Sequence, residues 1–303
     1  MKKLVFLLCA LALIVPAHWA FAATPIKGGS LTICVGDEPP GLDPTASASA
    51  AIDRVVYANI MEGLVKVNRN GQFVPGLATK WDVSPDGKVY TFHLRKGVTF
   101  HNGAPFNAQV AKWNIERSAA EGTKNAHPEF FRVIAKIESP DDLTLKLTLK
   151  EVDALFIVHM AEGDAVMLPM KGFENTAAAP VGTGPFKFSK WTRGDSVEMV
   201  RNEKYWNPML PYLDKVTYRF IKDASAQVAA LKAGDVDIIG WLFAPELAAD
   251  IAKDKRFKVL AGASTSEVIM STNNKVKPFD NKLVRQAMAH AIDRQTVIEL
   301  IMA

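Results

Sequence analysis

The chain has 303 residues, of which 49% are hydrophobic and 22% are charged, and its formal net charge is +4. This near balance of charge argues against nucleic acid as a partner, because nucleic-acid-binding proteins concentrate positive charge on one face. The hydrophobic content is enough to build a buried core, and the length is typical of about two domains.

The first 22 residues have the pattern of an export signal. Lys2 and Lys3 precede an apolar run at residues 4–15 that is too short to span a bilayer, and Ala20–Ala22 supplies small residues for a signal peptidase. We expect cleavage after Ala22 and a periplasmic location. A membrane anchor is the weaker alternative, since no second apolar stretch follows. After cleavage, Cys34 would be the only cysteine in the mature chain, which excludes an intramolecular disulfide.

Residues 28–65 begin the mature chain with a strand, a loop and a helix. The strand is predicted at 28–36 between glycines, and residues 37–45 form a loop with three prolines. Helical spacing of apolar residues predicts a helix over 51–65.

Residues 84–103 alternate with period two, which predicts a hairpin or a small meander. Tyr90, Phe92 and Leu94 share one face, and His93 lies on the opposite, polar face. His93 and His101 could meet as metal ligands. Their spacing is neither the i, i+4 spacing of a helical zinc pair nor a short chelate. We therefore expect both histidines to be surface or turn residues.

The middle of the chain continues with a helix and a strand. Asn107 is a suitable N-cap for a helix at 107–118, and residues 143–150 predict a strand with four leucines facing inward. From residue 180 the order becomes strand, helix, strand, which predicts a parallel or mixed sheet covered by helices. The predicted elements there are strands at 216–221, 236–239 and 257–260 and helices at 224–234 and 245–254. The strand at residues 236–239 is expected to be buried on both faces.

Few residues suggest a catalytic, phosphate-binding or metal-binding role. The G-x-G within residues 180–188 is followed by a predicted strand rather than a helix, so a tight turn is favoured over a phosphate loop. Nucleophile and zinc-protease motifs are absent from the sequence. We therefore predict no catalytic residues, no metal ligands and no cofactor. Trp241 and Phe243 follow a predicted strand and could line a cleft.

The chain ends in a predicted helix at 279–303 with Asp280 as a plausible N-cap. The apolar pattern continues to Ala303 without a C-cap glycine. We expect the chain to be truncated at this end.

A resemblance to a known family is carried by ordered blocks. Residues 75–108, PGLATKWDVSPDGKVYTFHLRKGVTFHNGAPFNA, closely resemble the signature region of the family 5 solute-binding proteins of ABC importers, which include dipeptide-, oligopeptide- and nickel-binding members. The other matching blocks are GGSLTICVGDEPPGLDP (28–44), PVGTGPFKFSKW (180–191), RNEKYW (201–206), AALKAGDVDII (229–239) and PFDNKLVRQAMAHAID (278–293). Asn102 and Gln109 stand where the family more often has acids.

The resemblance implies an α/β, type II bilobal fold of the periplasmic-binding-protein type with an extra inserted α+β domain. We expect the first lobe at 23–66 and 179–265, the inserted domain at 67–178, and the start of a mostly missing second lobe at 266–303. The implied function is to bind a peptide or a similar small solute between the lobes and deliver it to an ABC permease. The protein is expected to be a monomer.

Two segments are expected to contribute to the ligand site. The first is 45–51, a stretch that runs alongside the ligand in similar proteins. Its candidate residues are Ser47, Ala48, Ser49 and Ala50. The second is 159–168, where Glu162 and Asp164 beside Gly163 could receive a cationic group. Ordinary loop structure is the alternative for both segments. Trp241 is a further candidate.

Three other functions stay open. A nickel or other solute receptor of the same family is the first, although no histidines concentrate near the candidate segments. A secreted hydrolase is the second, opposed by the missing catalytic motifs. The third is a chaperone-like or signalling receptor that uses the same fold without transport.

Overall fold

The computed structural model describes residues 25–262 and 269–298. The predicted signal peptide at 1–22 lies outside the described residues, as do 266–268 and 299–303 of the predicted second-lobe segment. The strands are β1 (Ser30–Val35), β2 (Val65–Val67), β3 (Phe73–Pro75), β4 (Ala78–Val83), β5 (Val89–Leu94), β6 (Ile134–Asp141), β7 (Thr144–Leu149), β8 (Phe186–Thr192), β9 (Ser196–Arg201), β10 (Lys215–Phe220) and β11 (Ile238–Ile239). The α-helices are α1 (Ala50–Val56), α2 (Ala108–Ala119), α3 (Glu129–Arg132), α4 (Phe156–His159), α5 (Ala224–Ala233), α6 (Pro245–Ile251), α7 (Lys282–Ala291) and α8 (Arg294–Val297). Two 3-10 helices lie at Pro44–Ala46 and Gly163–Ala165.

The first sheet is mixed and has the strand order β11-β1-β10-β9-β8. β1 is parallel to both β10 and β11, whereas β9 is antiparallel to β10 and to β8. The mixed sheet predicted from the sequence is confirmed. Because β1, β10 and β11 run in the same direction, their carboxyl ends meet at one edge, where ligands bind in open α/β sheets.

The second sheet has four antiparallel strands in the order β4-β5-β7-β6, and α2 packs against β6 and β7. The predicted alternation in β5 is confirmed, because Tyr90, Phe92 and Leu94 are all buried. The prediction for β7 is wrong at one leucine: Leu143 precedes the strand and stays 36% exposed. A separate two-stranded sheet pairs β2 with β3.

The two main sheets have separate hydrophobic cores that meet along residues 165–168. Ala165 and Met167 belong to the core of the antiparallel sheet, and Val166 and Leu168 belong to the core of the mixed sheet. An extended backbone points successive side chains to opposite sides, so this segment contributes to both cores. The domain boundaries expected at 66/67 and 178/179 stay a prediction.

A buried carboxylate holds the junction together. The side chain of Glu62 is fully buried and receives a hydrogen bond from each of four side chains. The donors are Lys66 Nζ (2.5 Å), Tyr205 Oη (2.9 Å), Thr183 Oγ1 (3.0 Å) and Trp206 Nε1 (3.0 Å). A buried charge is tolerated when its hydrogen bonds are made, so Glu62 ties three separate segments to one point.

The G-x-G segment packs against backbone rather than binding phosphate. Gly184 N donates to Ile60 O (2.9 Å), and β8 rather than a helix follows at Phe186. A Cβ atom added at Gly182 would overlap Ile60 O, and one at Gly184 would overlap Asn59 O. Glycine is required here because two backbones approach closely.

His101 fastens the same segment from the other side. Its Nδ1 accepts from Gly182 N (3.2 Å), and its Nε2 donates to Gly184 O (3.0 Å). Burial lowers the pKa of His101 to about 4, so the imidazole is neutral at neutral pH. His101 lies in a turn, as predicted, but it is partly buried rather than fully at the surface. His93 lies on the polar face as predicted, with its Nε2 2.7 Å from Asp82 Oδ2.

Four other predictions need correction. The helix expected over 51–65 ends at Val56, and Ala58 has a φ of 59° that breaks the helical path. β11 has only two residues, and Ile238 is 43% exposed because the strand lies at the sheet edge. Residues 257–260 form no strand. The last long helix, α7, is capped by Asn281 rather than Asp280.

The other helices follow their sequence signals. Asn107 Oδ1 accepts from Val110 N at the start of α2, and Gly234 ends α5 with a φ of 83°. Within 25–262 and 269–298, no helix is long and apolar enough to cross a membrane.

Candidate functional site

The two candidate segments, far apart in the sequence, lie against each other in the fold. The 3-10 helix Pro44–Ala46 contacts the 3-10 helix Gly163–Ala165. Asp53 of α1 packs directly on Gly163, where an added Cβ would overlap the carboxylate. The structure thus places the residues on either side of Ser47–Ala50 against the segment that contains Glu162–Asp164, a proximity that the sequence could not show.

Residues 43–50 form a short, capped connection into α1. Asp43 Oδ1 accepts hydrogen bonds from Thr45 N (2.9 Å) and Thr45 Oγ1 (2.7 Å), which stabilise the 3-10 turn. Ser47 Oγ accepts from Ser49 N (3.4 Å), and the Ser49 hydroxyl makes no capping hydrogen bond at the start of α1. Ala48 and Ala50 are exposed, so the segment presents small side chains and backbone groups to solvent.

Two histidines face the carboxylates of the second segment. His127 Nδ1 is 3.2 Å from Asp164 Oδ1, and His159 Nδ1 is 3.4 Å from Glu162 Oε2. The ring of Phe130 stacks on both imidazoles, with centroid distances of 4.8 Å to His127 and 3.6 Å to His159. This stack fixes the orientation of both histidines.

Two of the three carboxylates at this point, Asp53 and Asp164, resist ionisation. Removal from water, followed by the charges of Asp164 and Glu162, raises the pKa of Asp53 to about 6 even though part of its side chain faces solvent. Burial likewise raises the pKa of Asp164, and the hydrogen bond and charge of His127 oppose that rise. Since a neighbouring positive charge would relieve the repulsion, the group formed by Asp53, Glu162 and Asp164 favours a cation.

A tyrosine that is mostly buried lies beside this group of carboxylates. Tyr57 Oη donates to Ala161 O at 2.6 Å, and burial, followed by the charges of Asp53, Glu62 and Glu162, raises the pKa of Tyr57. The phenol therefore stays protonated and acts as a hydrogen-bond donor. Asn125 Nδ2 donates to Asp164 O (3.2 Å) from the opposite side, so the backbone of the segment is held at both ends.

Trp241 lies apart from these carboxylates, in a cavity of about 550 Å³ at the carboxyl ends of β1 and β11. Trp241 is 43% exposed and Phe243 is 77% exposed, and their ring centroids are 5.3 Å apart. The guanidinium of Arg54 lies 5.9 Å from the Trp241 ring centroid. α1 connects the two regions, because Asp53 contacts Gly163 while the next residue, Arg54, lines the cavity.

Sequence reasoning missed four of these residues: Asp53, Arg54, His127 and His159. Asp53 and Arg54 are adjacent on a short helix with no recognisable motif, and His127 comes from another segment of the chain, so no spacing rule could have found these three. His159 is the first residue of the segment 159–168, and its i, i+3 spacing to Glu162 was the one signal that could have found it. Within the part of the chain that the structure describes, no three His, Cys, Asp or Glu residues are grouped so as to hold a metal ion. Cys34 is a buried free thiol.

Comparison with known proteins identifies the family. Residues 72–303 match the model of the bacterial extracellular solute-binding proteins, family 5 Middle. The chain is 32% identical over 286 residues to the glutathione-binding protein GsiB of Pectobacterium atrosepticum, which covers 93% of this chain and 55% of that relative. The chain thus spans about half the length of the curated relatives it matches.

Solved structures agree with the expected fold. The oligopeptide-binding protein AppA of Bacillus subtilis, in complex with a nonapeptide, aligns with a TM-score of 0.82 at 26% identity, covering 91% of this chain and 56% of AppA. NikZ of Campylobacter jejuni, in complex with Ni(L-His), aligns with a TM-score of 0.78 at 27% identity, covering 90% of this chain and 55% of NikZ. The type II periplasmic-binding-protein fold predicted from the sequence is confirmed. The chain belongs to the bacterial extracellular solute-binding proteins of family 5.

Proposed function

We propose that this protein captures a peptide or a similar small solute for an ABC importer and delivers it to the importer's membrane permease. The family is one of binding proteins, and relatives with similar sequences or folds are named for glutathione and oligopeptide binding. Family membership favours binding over catalysis, which argues against a secreted hydrolase.

The observation that carries this proposal is the meeting of three separate segments around α1. Residues 47–50, residues 162–164 and Trp241 all lie next to this helix or to the strand ends beside it. A wall built in this way gives a solute small side chains, carboxylates and an aromatic surface within one region. Such mixed walls are typical of small-molecule sites.

Capture would follow a two-state hinge. A solute that contacts both lobes in the closed state and only one lobe in the open state shifts the population towards the closed state. In this proposal the present chain supplies one wall of the cleft. The other wall would come from the part of the relatives that has no counterpart in these residues.

The wall also suggests which chemical groups it would bind. Glu162, Asp164 and Asp53 would receive a cationic group such as an ammonium, because a cation would relieve the repulsion that, together with the larger effect of burial, raises the pKa of Asp53. The Ser47–Ala50 segment would offer backbone groups to a peptide chain. We also propose that the protein is exported to the periplasm with cleavage after Ala22 and acts there as a monomer.

Native mass spectrometry of the protein purified from its host's periplasm tests this function. We expect a co-purified, non-covalent solute of peptide size that is released unchanged on unfolding. Asp164→Asn should retain less of it, and Asp142→Asn, an exposed acid in the turn before β7, should retain the same amount. Chemical conversion of the solute, or retention of a nickel complex instead, would contradict the proposal.

A further inference from the structure

The cavity beside Trp241 differs in charge from the acidic region at residues 162–164. It opens at the carboxyl ends of parallel strands, where Gly36 follows β1 and Gly240 follows β11. Both glycines leave backbone accessible because they carry no side chain. The volume of about 550 Å³ lies within the range of small-molecule sites, roughly 300 to 1,000 Å³.

The charges that line this cavity are Arg54, Lys222 and Asp37, which leaves an excess of one positive charge. Arg54 Nη1 is 4.0 Å from Asp37 Oδ2, and both side chains are exposed, so this ion pair is weak. Lys222 has no ion-pair partner among the described residues. A ligand carboxylate could therefore engage both cations without breaking a strong contact.

The remaining lining is mostly apolar and aromatic. Trp241 and Phe243 present neighbouring rings to the cavity, and Trp241 also lies beneath the Arg54 guanidinium. Arginine is well suited to a carboxylate in this setting, because its planar fork can donate two hydrogen bonds while its face stays on an aromatic ring.

We propose that this cavity binds the carboxylate of an organic solute through Arg54 and Lys222, with the adjoining apolar part of the solute packed on Trp241 and Phe243. The proposal rests on the proposed function and adds the chemical class of the solute. A solute with a carboxylate in this cavity and an ammonium near Glu162 and Asp164 would lie across α1. A peptide with free ends has both groups.

A pair of peptide pools tests the assignment. One pool of short peptides carries free carboxyl termini, and the other carries the same sequences as C-terminal amides. The protein as its host makes it is freed of solute by unfolding and refolding, mixed with both pools, and analysed by native mass spectrometry. Arg54→Gln, Lys222→Gln and the double variant are compared with Lys204→Gln. Lys204 is an exposed lysine after β9, at the opposite edge of the sheet.

The unaltered protein and Lys204→Gln should retain the free acids about tenfold over the amides. Each single variant should reduce that preference, and the double variant should abolish it. Arg54→Lys keeps the charge but loses the planar guanidinium, so its preference for free acids should fall between those of Arg54→Gln and the unaltered protein. This variant replaces the double variant as the test if the double variant does not fold. Equal retention of acids and amides, or a preference that survives Arg54→Gln and Lys222→Gln, would overturn the carboxylate assignment and leave the proposed function standing. Retention of neither pool would overturn both.

Discussion

Asp53 and Arg54 are neighbours in the chain but serve two different surfaces. Asp53 packs on Gly163 beside two other carboxylates, and Arg54 lines the cavity that contains Trp241. Successive residues of an α-helix point in different directions around its axis, so neighbours in α1 can face different surfaces. A single helix therefore links an acidic region to a basic one.

The raised pKa of Asp53 makes stability depend on pH. Below about pH 4 the residue is protonated in both the folded and the unfolded chain, and its contribution to stability is fully present. As the pH rises through the folded pKa of about 6, that contribution is lost, because the unfolded chain releases the proton more easily. Asp53→Asn should therefore gain melting temperature relative to the unaltered protein between about pH 4 and about pH 7.

Thermal unfolding followed by circular dichroism across this pH range measures the effect. The matched control is Asp142→Asn, which removes an equal charge from an exposed turn. Its melting-temperature difference should change less with pH. A difference for Asp53→Asn that is as flat as the control's would show that the surroundings of Asp53 do not disfavour its charge.

At the scale of the elements, the glycine segment at residues 182–184 is tightly confined by backbone. It runs between the backbone of residues 59–61 and the imidazole of His101, and it leads directly into β8. The sequence predicted a turn here. Only the fold explains the glycines, because the constraint comes from backbone that lies more than one hundred residues earlier in the chain.

Gly182→Ala should destabilise the protein strongly, because its Cβ would overlap Ile60 O and backbone cannot move aside like a flexible side chain. We expect the free energy of unfolding to fall by about 1–3 kcal/mol or more. Urea denaturation measures it. Gly41→Ala is the control, since the nearest atom to its added Cβ is 3.7 Å away. Equal stability of the two variants would contradict the close packing of this segment.

At the scale of the whole molecule, the last described elements are poorly covered. None of the residues of α7 or α8 is buried, and Leu283 of α7 is 71% exposed. The chain covers 55% of GsiB, so a large part of that relative has no counterpart in these residues. A two-lobed protein gains affinity by closing both lobes on the solute, so one wall retains only part of the contacts.

The 303-residue chain alone should bind peptides weakly. Isothermal titration calorimetry with a peptide mixture should give a Kd no tighter than about 1 mM, equivalent to about 4 kcal/mol of binding free energy. The relative GsiB of Pectobacterium atrosepticum, titrated with glutathione, serves as the positive control. Tight binding by the 303 residues alone would show that a complete site already lies in the described wall.

Local patterns in the sequence determined much of the fold. The alternation of Tyr90, Phe92 and Leu94, the cap at Asn107 and the terminating Gly234 each act through neighbours within a few residues. The family resemblance likewise depends on contiguous blocks. Predictions failed where the signal was short or at an edge, as at residues 257–260 and at Ile238.

The functional geometry was decided by tertiary structure alone. Residues 45–50 and 162–164 could each be proposed from the sequence, but their contact arises because residues 165–168 pack between two cores and hold the preceding turn against α1. Asp53 and His127 acquire Gly163 and Asp164 as partners only through folding, whereas His159 and Glu162 are already three residues apart in the chain. The physical reason is that periodicity and capping depend on nearest neighbours, whereas charge repulsion, burial and a cavity wall depend on residues that folding brings together from distant parts of the chain.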